Sequence, residues 1–141
     1  VANATKDRAT DFFPSALNQT MVEAKLVADY IAYAGTMQTR DANGRLKNPG
    51  ATAERVTGVV IEHKDATGKA TDVISANLRR GAHKFALHGV NPPTAADIGK
   101  LGYASDNVTI SKTAADGSLA GEIIAVETDG VFVDIGKAVL A

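Results

Sequence analysis

Three histidines, His63, His83 and His88, are the candidate metal ligands or general bases of this chain. A zinc site needs three or four ligands converging on one point. His83 and His88 differ in parity, so on one strand they face opposite sides and cannot share a metal. The absence of cysteine excludes disulfides, thiolate zinc sites and cysteine nucleophiles. None of Ser15, Ser75, Ser105, Ser111 and Ser118 stands in the strained Gly-x-Ser-x-Gly elbow of a hydrolase. The one hydrolase that can be written uses His63 or His88 with a nearby Asp. Gly68-Lys69 lacks the upstream Gly of a phosphate loop and the Ser or Thr beside its Lys. Asp65 lacks the acidic partners and closing Glu of a calcium loop. Glu122 and Glu127 differ in parity and do not form paired carboxylates. No catalytic residue, metal ligand or cofactor site is assigned on these patterns.

Two features remain as candidate contacts with a partner. Arg79, Arg80 and Lys84, with His83 among them, form a short basic stretch. It reads as a solvated strand rim or as a contact for an acidic protein surface. No aromatic residues interleave with these charges, which argues against single-stranded nucleic acid. The second feature is an apolar knot, Phe12, Phe13 and Leu17, in an otherwise polar stretch. Two of the four Phe residues lie there. Burying each ring is worth roughly 1.5–3 kcal/mol, so the segment reads as an arm that lies on something rather than a frayed end.

The elements that position these groups read as short strands. Residues 22–34 fit either a helical stripe (Val22, Leu26, Tyr30, Tyr33) or period two, and 30–36 read as extended. Asp41-Ala42-Asn43-Gly44 predicts a turn between strands at 36–39 and 45–47. Residues 56–62 are apolar on both faces, which suits a buried strand. Residues 73–80 put Ile74, Ala76 and Leu78 on one face, and 82–88 put His83, Phe85 and Leu87 on one face, with Gly81 as a bend between them. Residues 95–100 predict one helical turn, and 101–105 and 108–112 predict strands. The last hairpin is 122–127 and 131–135 around a three-residue loop, Thr128-Asp129-Gly130, with Gly130 left-handed. Turn signals every 8–12 residues predict a mainly all-β chain: a small β-barrel or sandwich of short antiparallel strands with an extended N-terminal arm. The expected division is an arm and lead-in over 1–34 and a β domain over 35–141.

Composition bounds the rest. With 141 residues, one domain and a real core are expected. Of the apolar positions, 25 are Ala, and Trp is absent, so small side chains must build that core. A net charge of −1 supplies no global basic field for nucleic acid. No apolar run reaches the ~18 residues of a membrane span, and no leader is visible. Val1 is read as following a removed initiator Met.

Three segments taken together resemble the small β-rich capsid decoration, or cement, proteins of tailed bacteriophages. They are 35–49 (GTMQTRDANGRLKNP), 96–111 (ADIGKLGYASDNVTIS) and 121–136 (GEIIAVETDGVFVDIG). The first is similar to an early strand–turn–strand of that group. The second is similar to its D-x-G-K-x-x-Y-A-S-D segment, the third to its closing hairpin, here Gly121, Ile123, Val126, Asp129, Gly130, Val131, Val133 and Ile135. The resemblance spans about residues 35–136 and rests on the order of the segments. It implies a non-enzymatic virion protein, made in the host cytoplasm, on the outer surface of the assembled head. The implied partners are the major capsid protein and itself, as a homotrimer or alternatively a homodimer, with no nucleic acid, membrane or cofactor. Phe12, Phe13, Leu17, Arg79, Arg80 and Lys84 are then the expected contacts. The competing expectation is a binding module for a host glycan or protein, using loops at Asn91-Pro92-Pro93 and Asp106-Asn107.

Overall fold

A computed structural model describes residues 2–8 and 21–136. Alternating side chains and frequent turns give twelve short strands among the described residues: β1 (Met21–Lys25), β2 (Ile31–Ala32), β3 (Met37–Arg40), β4 (Leu46–Lys47), β5 (Gly58–Val60), β6 (Lys64–Asp65), β7 (Ser75–Arg79), β8 (Gly81–Leu87), β9 (Leu101–Ala104), β10 (Thr109–Ser111), β11 (Ser118–Glu127) and β12 (Gly130–Ile135). Two single 3₁₀ turns, Ala95–Asp97 and Ala114–Asp116, complete the elements. No described helix is long and apolar enough to cross a membrane.

The second half of the chain closes a five-stranded barrel in the order β10-β8-β12-β11-β9. Its pairs are antiparallel except β10 with β8, which is parallel. That pair departs from the all-antiparallel expectation, because the crossover through β9 returns the chain in the direction of β8. The interior is filled by Phe85, Ile110, Ile123, Val131, Val133 and Ile135, as a barrel this small must be. His83, Phe85 and the partly buried Leu87 face inward together, as their spacing predicts.

The first half forms an open sheet, β1-β7-β5-β3-β4, and a two-stranded layer of β2 and β6. The strand expected to be apolar on both faces is β5. Val59 joins the barrel core, and Val60 joins a second cluster with Leu26, Leu46, Ala76 and Leu78. Residues 22–34, ambiguous by periodicity, are extended where regular. β1 pairs along its whole length with β7, and Leu26 and Ala32 are fully buried. The Arg40 guanidinium donates to the Glu23 carbonyl of edge strand β1, which protects that edge.

The chain passes from sheet to barrel through Arg80 alone. Gly81 there has φ 104°, a conformation costly for any side chain, and lets β7 and β8 belong to different sheets. The Asp41–Gly44 turn forms as the sequence predicts. Asp41 Oδ1 accepts from the Asn43 and Arg45 amides, and Gly44 has φ 80°. These backbone donors, Arg45 above all, hold the Asp41 carboxyl below its usual range.

Candidate functional site

The four residues of the basic stretch lie in four environments. Arg79 ends β7, with its backbone between Met21 and Val59. Arg80 Nε donates to the Thr57 carbonyl at 3.0 Å. Its methylenes lie so close over Gly136 that an added Cβ would meet Arg80 Cδ at 3.0 Å. His83 turns inward, and its Nδ1 donates to the Gly81 carbonyl at 3.0 Å. Lys84 turns outward and is neutralised within the chain. Its Nζ lies 2.9 Å from both Glu127 and Asp129 at the hairpin tip, and 5.9 Å from the Phe132 ring centre. Hydrogen bonds to Glu127, then Asp129, push the Lys84 pKa up, and Lys84 in turn holds the Asp129 carboxyl down.

Phe12, Phe13 and Leu17 lie outside the described residues. Residues 2–8 are described, and they cross the seam between barrel and sheet. Asn3 Oδ1 accepts from the Asn107 amide at 2.8 Å, and the Ala4 amide donates to Asn107 Oδ1 at 2.7 Å. Asp7 Oδ1 takes the Ala34 amide at 2.9 Å and His63 Nδ1 at 2.7 Å. Arg8 donates through its backbone to the Ala34 carbonyl, and through its guanidinium to the Gly35 carbonyl at 2.9 Å and the Lys84 carbonyl at 3.4 Å. The same guanidinium stands 5.6 Å over the Phe85 ring. Asn107 continues inward through Asn48 to Gln38, whose side chain also meets Thr36 and the Tyr30 hydroxyl. Burial pushes the Tyr30 pKa up, so the phenol stays protonated. Asp7 and Arg8 carried no sequence signal, since an isolated Asp-Arg in a polar stretch matches no motif. Asp106 and Asn107, expected as an exposed recognition loop, are buried.

The structure does bring His63 and His88 near acids, but in neither place with a serine relay. His63 meets Asp7 and packs edge-on to Tyr33 with ring centres 5.5 Å apart. His88 Nδ1 accepts from the Asn91 amide at 3.0 Å and the Val90 amide at 3.3 Å, so it faces the backbone donors of its own loop. It stands 4.0 Å from Asp116 Oδ2. That oxygen takes the Ser111 hydroxyl at 2.5 Å and Asn91 Nδ2 at 2.9 Å. A catalytic triad places His between Ser and the acid. Here Ser111 donates straight to the carboxylate, and the group ties together the 88–91 and 111–116 loops. The Ser111 bond is the main reason the Asp116 carboxyl is held below its usual range. Among the described residues no three His, Asp or Glu side chains are grouped to hold a metal.

Two adjoining depressions lie where the sheet meets the barrel. One, of about 280 Å³, is lined by Arg55, Thr57, Arg80, Leu119 and Gly136 among others. The other, of about 240 Å³, lies across the Arg55–Leu119 bridge and reaches Glu54 and Tyr103. Thus Arg80, singled out in the sequence, is joined by Arg55 rather than by Lys84. No family model, curated protein or solved structure matches the chain. The geometry of these surfaces is therefore the ground for a functional reading.

Proposed function

We propose that this chain is a structural, non-enzymatic protein of a tailed-phage virion. It binds the outer surface of the assembled head and cements adjacent major capsid protein subunits as a homo-oligomer, a trimer being preferred. The observation that supports this reading most is where the three resembling segments lie. Residues 96–111 and 121–136 supply β9, β10, most of β11 and β12 of the closed barrel, and 35–49 supply β3 and β4 of the sheet packed on it. The resemblance therefore follows one packed body rather than scattered turns. Such a body suits a clamp, because a closed barrel leaves no strand edge unpaired and resists shear. Many copies on a lattice convert modest affinity into firm retention.

The test is cryo-electron microscopy of the purified protein mixed with undecorated heads of the phage that encodes it. The expected result is a regular array of knobs at local symmetry axes, which also reads the oligomer. Bare heads beside free protein would overturn the proposal and turn attention to glycan or host-protein binding. Replacing Phe12, Phe13 and Leu17 by Ser, which leaves the contacts of residues 2–8 in place, is expected to weaken decoration while the β body remains folded. Unchanged decoration by that variant would remove the arm from the contact.

A further inference from the structure

We propose that the Arg55–Arg80 trough is a carboxylate-recognition site that receives an extended acidic segment of the capsid protein. The inference rests on the reading above and assigns it a contact. Four other lysines and arginines of the chain are matched internally: Arg45 with Asp72, Lys47 with Glu54, Lys64 with Glu62, and Lys84 with Glu127 and Asp129. Neither Arg55 nor Arg80 has a carboxylate within ion-pair distance among the described residues. Two arginines lining one depression, neither with an internal counter-charge among the described residues, leave a local positive site on a chain whose net charge is −1.

The site is also held ready. Arg80 is fixed by Thr57 through Nε and by packing over Gly136, which leaves the outer nitrogens of its fork for a ligand. Arg55 is fixed at its backbone, because the Val56 amide donates to the Leu119 carbonyl and the Leu119 amide to the Glu54 carbonyl. Holding the Arg80 guanidinium in place before binding lowers the ordering cost of its contact. The one acid in the adjoining depression, Glu54, is already neutralised by Lys47. Leu119 and Tyr103 give apolar contact between and beyond the charges. Two adjoining depressions of about 280 and 240 Å³, which share Arg55 and Leu119, suit an extended chain, whose same-face side chains recur at ~7 Å, better than one small anion.

Co-sedimentation with bare heads at several salt concentrations tests this, using wild type, Arg55→Gln, and Arg55→Gln with Arg80→Gln. The double variant is expected to bind about tenfold or more weakly, with a shallower salt dependence, as charge-assisted contacts are lost. Arg45→Gln, away from the trough, is expected to bind like wild type. A folded double variant that saturates heads at wild-type concentrations would overturn the site and leave the cementing role standing. If losing the Thr57 contact unfolds the double variant, Arg55→Gln alone decides: Arg55 is exposed and makes no side-chain hydrogen bond among the described residues, and wild-type binding by this variant overturns the site. Heads left bare by wild type would overturn both readings.

Discussion

His83 is 2% exposed inside the barrel, and its pH behaviour follows from that position. Burial, the largest influence, pushes its pKa below 6.5, and the nearby positive charges of Arg79 and Arg8 push the same way, while the bond to the Gly81 carbonyl opposes them. The unfolded chain therefore binds a proton at His83 more readily than the folded one. Its contribution to stability is full above about pH 6.5 and is lost as pH falls through that value towards the depressed one. The lowered aspartates act in a separate window, because their stabilisation is present above about pH 3.8 and lost below it. Urea unfolding between pH 7.5 and 5 is expected to show falling stability for wild type and a smaller fall for His83→Phe. Equal pH slopes would place the histidine outside this account. His83 was legible as an inward residue from its parity with Phe85, but its role as a buried neutral imidazole required the strand's neighbours.

At the scale of elements, the barrel closes through glycines where two backbones nearly touch. A Cβ on Gly121 would lie 2.0 Å from the Asp134 carbonyl oxygen, and one on Gly117 would lie 2.0 Å from that of Ala104. Gly121→Ala and Gly117→Ala must separate β11 from β12 and the 3₁₀ turn from β9, at a cost of about 1–3 kcal/mol or more each. Gly89→Ala, where nothing lies within 4 Å, is expected to stay within ~0.5 kcal/mol of wild type. Thermal unfolding of the three variants checks the ranking. The last hairpin shows why such roles are hard to read from sequence. A three-residue loop with a left-handed Gly130 was the natural reading of Thr128-Asp129-Gly130. Instead Gly130 pairs directly with Glu127 and does not take a positive φ. It is glycine because a side chain would strike Lys84 Cε at 2.6 Å and the Phe85 carbonyl at 2.9 Å. Alternation and turn chemistry are local and were legible, as in the Asp41 turn and the inward faces of β7 and β8. Close approach between strands far apart in sequence is not local, and neither is the direction of β10 beside β8.

At the scale of the whole molecule, two apolar clusters lie on opposite faces of β5, and residues 2–8 fasten the seam beside them. Arg8 is the centre of that fastening. It reaches Ala34 and Gly35 on the sheet side, and Lys84 and the Phe85 ring on the barrel side. The candidate site was legible only in part for the same reason: Arg80 stood in a visible basic run, but Arg55 is 25 positions earlier and meets it only through the packing of sheet on barrel. Arg8→Ala isolates the fastening from the barrel's own stability. It removes charged donors from two carbonyls and a cation from an aromatic face, together worth about 1–3 kcal/mol. If residues 2–8 hold the halves together, the loss falls unevenly. Hydrogen exchange is expected to speed up at Gly35, whose amide bonds the Val60 carbonyl, and at Met37, which bonds the Asn107 carbonyl across the seam. Amides within the β11–β12 ladder, closed by the barrel alone, are expected to keep their protection. Uniform acceleration across both regions would mean that barrel and sheet open as one unit and that Arg8 adds global stability only. No change anywhere would mean that the fastening carries no stability and that the N-terminal segment is free to exchange its contacts for those of a partner.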